Sequence, residues 1–253
     1  MDDVTVAIPW RPAAGRQRAF ERVCDFWWNE AGFPIITAPS SSGPFNRSEA
    51  RNNAVAKVKT PVVIVADADV IPELPVVQEA LRTLEGEVVW LYDEYRIISA
   101  HWAYDPALVH VRRAPRHTCF CGQMLPNCCG AVSGLFACRT ETYWRLGGHD
   151  ERFGGKWGGE DVAFAQAAGT LTGARRVPGL AVAFDHPSSR DIGGMSFWAQ
   201  AYESATAWPH TMENLVADPR RGHAATGVAS YKQLWGSPEP VRFPPRPEGV
   251  TWV

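Results

Sequence analysis

No stretch of this chain approaches the run of about 18 apolar residues that a membrane-spanning helix requires. The opening MDDVTVAIPWRP is acidic and enters a strand pattern at once, so a secretory leader is not expected. Excess positive charge is missing too: the formal net charge is −2, which weighs against a chain whose main task is gripping nucleic-acid backbone. Neither GxGxxG nor a Gly-rich loop ending in GK[ST] is present, which disfavours a dinucleotide site and a P-loop. Six cysteines in a chain expected in the cytoplasm read as thiols rather than a disulfide framework. Four of them (Cys119, Cys121, Cys128 and Cys129) cluster beside His117, at spacings that match no common zinc pattern. The pairs Arg112–Arg113, Arg175–Arg176 and Arg220–Arg221 read as solvated surface.

What is present suits a globular α/β protein. The 253 residues allow one large domain, or a domain with a small appendage. Eleven tryptophans are enough to fill a core and also to offer flat faces to a sugar or base. VTVAIP (4–9) reads as a strand, and an amphipathic helix follows over 16–30 with a stop at Gly32. FPIITA (33–38) is a second strand. Asn46 with Glu49 three residues on resembles a capping box for a helix over 47–57. TPVVIVAD (60–67) is continuously apolar, as in a parallel strand covered on both faces. A helix over 74–86, a strand over 87–95, a strand and helix over 130–148, a helix over 159–173 and a strand over 179–187 complete the pattern. This rhythm implies a doubly wound, mostly parallel sheet over about 1–190. Residues 191–235 read as a helical appendage, and the proline-rich stretch 236–249, with five prolines, as an extended tail.

The chemistry gathers at strand ends, where open α/β sheets bind ligands. VADADVIP ends a buried strand in Asp67 and Asp69. Either the two carboxylates cap the following turn, or they face one point on an extended chain and share a hard divalent cation. A second strand ends in FDHP, so His186 is either a hydrogen-bonded histidine or a nitrogen ligand to the same ion. In the latter case Mn²⁺ is favoured over Mg²⁺. KWGGEDVAFA sets Gly158 and Gly159 before Glu160 and Asp161. The glycines allow close backbone approach to a substrate. The acids either complement a helix N-terminus or bind hydroxyls and remove a proton. Arg11, Arg16, Arg47 and Arg51 are placed to meet a base, ribose or diphosphate.

These pieces together resemble the GT-A class of nucleotide-sugar-dependent glycosyltransferases. The resemblance covers about residues 4–187 in the right order: VTVAIPWRP, ARNNAV, VADADVIP, the block over 134–165 and FDHP. That block is similar to the acceptor-site segment of the inverting β-1,4-galactosyltransferases and the polypeptide N-acetylgalactosaminyltransferases. Those families read WGGED and WGGEN, and this chain has WGGED at 157–161. The layout also resembles glycosyltransferases of actinobacterial phages, for which the setting would be host cytoplasm. The resemblance implies a GT-A fold and a metal, Mn²⁺ or Mg²⁺, held by Asp69, Asp67 and His186. It implies a nucleotide site lined by Pro9, Trp10, Arg11 and Arg51, with a UDP-sugar as donor. Trp157 would face both sugars, Glu160 and Asp161 would bind the acceptor, and Asp161 would be the base of an inverting transfer. The acceptor would be a protein or glycan, or for a phage-type enzyme a hydroxymethylated DNA base. Two departures stand out: no secretory anchor is expected, and only one acid follows Glu160.

Two other functions compete. A sugar-1-phosphate nucleotidyltransferase shares the design, but needs a Gly-rich, Arg-containing loop after the first strand, where IPWRPAAGR has one glycine. A non-catalytic carbohydrate-binding module would leave acids at strand ends with no ligand to offset their desolvation.

Overall fold

VTVAIP becomes β1 (Val4–Pro9), with every residue buried. The computed structural model describes residues 3–13, 15–41, 43–98, 111–113, 134–151 and 160–184. The cysteine cluster at 119–129, Trp157, Gly158, Gly159, His186 and the appendage expected over 191–253 lie outside the described residues.

The first helix, α1 (Gln17–Asp25), continues into a wider π-type turn over Phe26–Glu30. Its apolar residues Ala19, Val23, Phe26 and Trp27 point into the core. The helical run ends just before Gly32, whose φ of 74° only glycine adopts without strain. β2 (Ile35–Ala38) follows, then α2 (Arg47–Val55). Next come β3 (Val62–Ala66), β4 (Val70–Pro72) and α3 (Leu74–Arg82). β5 (Val89–Trp90), β6 (Glu94–Ile98), β7 (Val111–Arg113) and β8 (Leu135–Arg139) come before α4 (Thr140–Arg145). α5 (Glu160–Leu171), β9 (Arg175–Arg176) and β10 (Leu180–Phe184) complete the described chain.

Two sheets result. The larger has the order β2-β1-β3-β8-β5-β9, the smaller β4-β10-β6-β7. In the larger sheet β8 runs antiparallel to both β3 and β5, and the other five strands share one direction. The mixed α/β fold with a mostly parallel main sheet therefore agrees with the sequence rhythm. Its core is the fully buried middle of this sheet, including Ile8, Ile64 and Phe136. Burying side chains of this size stabilises by roughly 1.5–3 kcal/mol each.

Among the described strands the chain leaves the larger sheet for the smaller three times, through β3 to β4, β5 to β6 and β9 to β10. The first crossing is Asp67-Ala68-Asp69. The sequence reading of 87–95 as one strand is therefore corrected: it is β5, a crossing at 91–93, and β6 in the other sheet. The crossings are tied to each other. Asp93 and Glu94 donate their backbone N–H groups to the Gly179 carbonyl, both at 3.0 Å. Phe184 N–H donates to the Asp69 carbonyl at 2.8 Å. β10 thus lies in the smaller sheet rather than beside β3, yet its end is fastened to the acid-bearing turn.

The pair Arg175–Arg176 is half-buried rather than wholly solvated surface, which is a second correction. Arg175 bonds Glu87 Oε1 at 2.9 Å and Thr83, while Arg176 lies over the rings of Trp90 and Tyr92. Both arginines sit on the short strand β9, packed against its neighbours. Both are half-buried, and their planar heads find acceptors and aromatic faces as well as water there.

Candidate functional site

The site is built around α2. Asn46 caps this helix, its Oδ1 accepting from Glu49 N–H at 3.2 Å. Only half of a capping box forms. The Glu49 carboxylate accepts from Ser41 instead of reaching back, and Asn46 N–H donates to Ser40 Oγ at 3.1 Å. Four-residue spacing sets Arg47 and Arg51 on one helix face, and that face looks at two pairs of acids.

Arg51 is fully buried and divides its guanidinium between the pairs. Nη2 bonds Asp67 Oδ1 at 2.7 Å, and Nη1 bonds Asp161 Oδ1 at 2.5 Å. Glu160 Oε1 stands 3.9 Å from Nη1. Burial alone would lower the Arg51 pKa, but Asp161, Asp67 and Glu160 outweigh it and hold the group above its ordinary value. Arg47 pairs with Glu160 at 3.1 Å, and Glu160 chiefly raises its pKa. The two arginines differ in reach: the Arg47 side chain is 29% exposed and that of Arg51 0%. Arg51, read from the sequence as a nucleotide contact, is placed between carboxylates instead, and Arg47 keeps an open flank.

The acids owe their positions to separate elements. β3 ends at Ala66, and Asp67 N–H donates to the Gly134 carbonyl at 2.6 Å. Because β8 runs antiparallel to β3, its first residues come alongside the end of β3 and bring Gly134 to the carboxylate. A Cβ on Gly134 would stand 2.6 Å from Asp67 Oδ1 and 2.9 Å from Arg51 Nη2. No other residue fits there without moving the ion pair. Asp67, Ala68 and Asp69 form a turn rather than an extended strand end, with Val70 N–H reaching back to the Asp67 carbonyl at 3.4 Å. Asp67 is buried and Asp69 half-buried.

Glu160 and Asp161 open α5. Asp161 has its carboxyl pushed up to about 7. Burial is the largest cause, and Glu160 and Asp67 add to it against Arg51 and Arg47. Glu160 is buried, and its Oε1 accepts no hydrogen bond despite the nearby Arg47.

One histidine that sequence reasoning assigned no role joins them. His149 lies on the loop after α4, held by Asn52 of α2. Asn52 Nδ2 donates to the His149 carbonyl at 2.9 Å and to Glu151 Oε1 at 2.7 Å, while Asn52 Oδ1 accepts from His149 N–H at 3.0 Å. A Cβ on Gly148 would stand 2.6 Å from Asn52 Oδ1, and the φ of 66° there also demands glycine. His149 Nε2 reaches to 4.0 Å from Asp161 Oδ1. GGHD offers no periodicity or spacing that points to this placement. The only signal in the sequence is a histidine after two glycines, eleven residues before an acid pair.

The amino-terminal residues form a flank. Pro9 is buried in β1. The ring of Trp10 stacks on Phe20, with centroids 4.1 Å apart and planes within 7°, so one of its faces is covered. Arg11 donates to the Gly43 carbonyl at 2.8 Å and lies over the Phe45 ring. Arg16 is half-buried, and burial lowers its pKa while Asp69 and, less strongly, Asp67 pull it up. Its charge therefore faces the acid turn.

Among the described residues no group of three His, Cys, Asp or Glu side chains stands close enough to hold a metal ion. The donor set that is present is two carboxylates on one turn, which suits an oxygen-preferring divalent cation. The third expected ligand, His186, is two residues beyond the Phe184 that bonds Asp69. No helix among the described residues is long and apolar enough to cross a membrane.

No family model matches the chain, and no curated protein matches it. Among solved structures it is similar to a Drosophila β-1,4-galactosyltransferase 7 complexed with manganese, UDP-Gal and xylobiose. That likeness has a TM-score of 0.46 and 14% identity, over 77% of this chain and 74% of that one. GalNAc-T7 with UDP, GalNAc and Mn²⁺ aligns at TM-score 0.41 and 14% identity, over 90% of this chain but 49% of that one. This chain thus spans about half of that protein's length. Glucosyl-3-phosphoglycerate synthase from Mycobacterium tuberculosis, complexed with Mn²⁺, UDP-Glc and phosphoglyceric acid, aligns at 0.43 and 14% identity, over 88% and 80%.

Proposed function

We propose that the chain is a metal-dependent glycosyltransferase. It would move a sugar from a nucleoside-diphosphate donor, a UDP-sugar, to a hydroxyl of a protein or glycan, with inversion and with Asp161 as base. The observation that carries this reading is the bridge through Arg51. One fully buried guanidinium joins an acid at the end of β3 to an acid at the start of α5. A donor-binding corner and a proton-accepting corner are thereby parts of one electrostatic unit.

Donor cleavage leaves negative charge on the departing diphosphate, and fixed cations at that point lower the barrier. Arg16 and Arg47 face the acid pairs from α1 and α2 and are the cations within reach. A bound Mn²⁺ or Mg²⁺ would add Lewis-acid stabilisation of the same charge, held by Asp69, Asp67 and His186. Trp10 and Pro9, with Arg11, form the flank that suits the nucleotide. Trp157 is assigned to the sugars on the resemblance alone, and Gly159 to close backbone approach to the substrate. The acceptor hydroxyl gives its proton to Asp161, and the freed oxygen pair attacks the anomeric carbon. General-base assistance of this kind contributes typically ~10²–10⁴-fold, and works best with a pKa near the operating pH, as at Asp161. Glu160 Oε1, an acceptor without a hydrogen bond, is suited to a second acceptor hydroxyl. The near-neutral net charge favours a protein or glycan over DNA as acceptor.

A thermal-shift panel of nucleotide sugars with and without Mn²⁺, followed by an assay of nucleoside-diphosphate release, tests the reading. Asp69→Ala should lose the Mn²⁺-dependent donor shift. Asp161→Asn should keep that shift and lose transfer. Full transfer by Asp161→Asn removes it from the base role. Pyrophosphate release from a nucleoside triphosphate and a sugar 1-phosphate would make the chain a nucleotidyltransferase. A wild-type melting temperature that no donor moves would favour a binding module.

A further inference from the structure

His149 is buried to 1% exposure, and its Nε2 has no hydrogen-bond partner. A buried polar atom left unpaired is costly unless some state of the protein uses it. The surrounding network decides what that atom is. Asn52 Nδ2 donates to two oxygens, which fixes the amide so that Oδ1 faces Tyr143 and His149 N–H. Oδ1 is an acceptor only, so the single Tyr143 hydroxyl proton lies on the 2.7 Å contact to Oδ1. The Tyr143 oxygen, 3.0 Å from His149 Nδ1, is then the acceptor of that contact. The proton therefore sits on Nδ1. Burial, with Arg51 and Arg47 adding to it, keeps the ring neutral at physiological pH. That leaves a lone pair on Nε2, 4.0 Å from Asp161 Oδ1. The ring cannot easily turn away. It stacks on Phe164 with centroids 4.4 Å apart and planes within 6°, and on Phe136 at 6.1 Å.

We propose that His149 is a positioning residue, held as the Nδ1–H tautomer, whose Nε2 lone pair receives the O–H of the protonated Asp161 carboxyl. In the transfer step the acceptor O–H bond breaks and its proton moves to Asp161. The oxygen's electron pair closes the new bond to the anomeric carbon, and the bond to the diphosphate breaks with its pair on phosphate. The protonated carboxyl, no longer a full partner for Arg51, turns its O–H to Nε2. Among the described residues the charged and titratable groups facing this pair are Arg47 and Arg51 from α2, Tyr143 from α4, Glu160 beside Asp161, Asp67 at the end of β3 and Glu151 on the loop. The role in transfer rests on the reading of Asp161 as base; the tautomer does not.

Three substitutions separate the ring's duties. His149→Asn keeps a donor for Tyr143 and loses the acceptor aimed at Asp161. His149→Gln keeps an acceptor near Nε2. His149→Phe keeps only the stack. Loss of the one hydrogen bond in His149→Asn should lower kcat about tenfold with the donor KM unchanged. Because the bond stabilises protonated Asp161, the acid limb of the kcat–pH profile should move down by about one pH unit, and His149→Gln should restore both. An unchanged kcat and acid limb in His149→Asn overturns the proposal. Nitrogen NMR of the wild-type 253-residue chain gives a readout that needs no activity and no variant. It should show protonated Nδ1 and bare Nε2, and the Nε2–H tautomer would refute the assignment even if every variant misfolded. Absence of transfer by the wild type, with the Nδ1–H tautomer present, would sink the glycosyltransferase reading instead.

Discussion

The two acid pairs, Asp67 with Asp69 and Glu160 with Asp161, are short, plain motifs in the sequence, and the fold treats them differently. Asp67 and Asp69 lie on a turn where the chain leaves one sheet for another. Asp69 is half-buried and its backbone is fastened to the last described residue of β10. Glu160 and Asp161 open a helix and face α2, with Arg47 and Arg51 against them. One member of each pair bonds Arg51 directly, Asp67 at 2.7 Å and Asp161 at 2.5 Å, while Glu160 stands farther off at 3.9 Å and pairs with Arg47. The lesson is that two carboxylates in a motif need not be equivalent. Asp67 and Asp161 anchor the site through Arg51, while Glu160 is paired with Arg47 and Asp69 lies half-buried on the turn.

The sharpest way to break that comparison is to remove the shared cation. Arg51→Met removes the cation that bonds both Asp67 and Asp161 and leaves, among the described residues, only Arg47 and Arg16 near these acids. Unfolding in denaturant should show a loss of about 3–5 kcal/mol, the size typical of breaking a buried pair from one side. A loss of only ~0–1 kcal/mol, as for an exposed pair, would mean that Arg51 does not unite the acids. Gly134→Ala acts on the first pair and on the Arg51 head that bonds it. Its Cβ would press on Asp67 Oδ1 and Arg51 Nη2, with an expected loss of about 1–3 kcal/mol by overpacking. The same variant should weaken Mn²⁺-dependent donor binding, readable by calorimetry.

The smallest effect per step is the pH dependence, and it belongs to the second pair. Asp161 holds its proton up to about 7 in the folded chain, whereas an unfolded aspartate releases it near 3.9. Between those values the folded state binds the extra proton. Stability should therefore fall as pH rises from about 4 to about 7, by at most about 1.4 kcal/mol per pH unit. Asp161→Asn should lack that fall while keeping the rest of the profile. An identical slope in the variant would place the raised group elsewhere.

How much of this was legible in the sequence depends on how local each signal is. The Asn46 cap, the start of α4 at Thr140 and the stop near Gly173 are short-range signals, and the structure has all three. The strand over 87–95 was misjudged because Val88 through Tyr92 are all buried. Continuous burial hides a change of sheet that no glycine or proline marks. The direction of β8 was hidden for a related reason, since side-chain alternation is the same whichever way a strand runs. Asp67 and Asp161 were found because acids at strand and helix ends stand out against apolar runs. Their bridge by Arg51 was not, because its partners lie 16 and 110 residues away. His149 was missed likewise, with its Asn52 anchor 97 residues distant. Sequence places Arg47 and Arg51 of the helix Arg47–Val55 against a nucleotide, and in the structure they meet the acids of two other elements instead.

The most direct test is an anomalous-scattering map from a crystal grown with Mn²⁺ and UDP. The manganese peak should lie at the turn of Asp67 and Asp69, in contact with the diphosphate and with His186 completing the ligands. A map with UDP bound elsewhere, and no manganese at that turn, would contradict the assignment of the site.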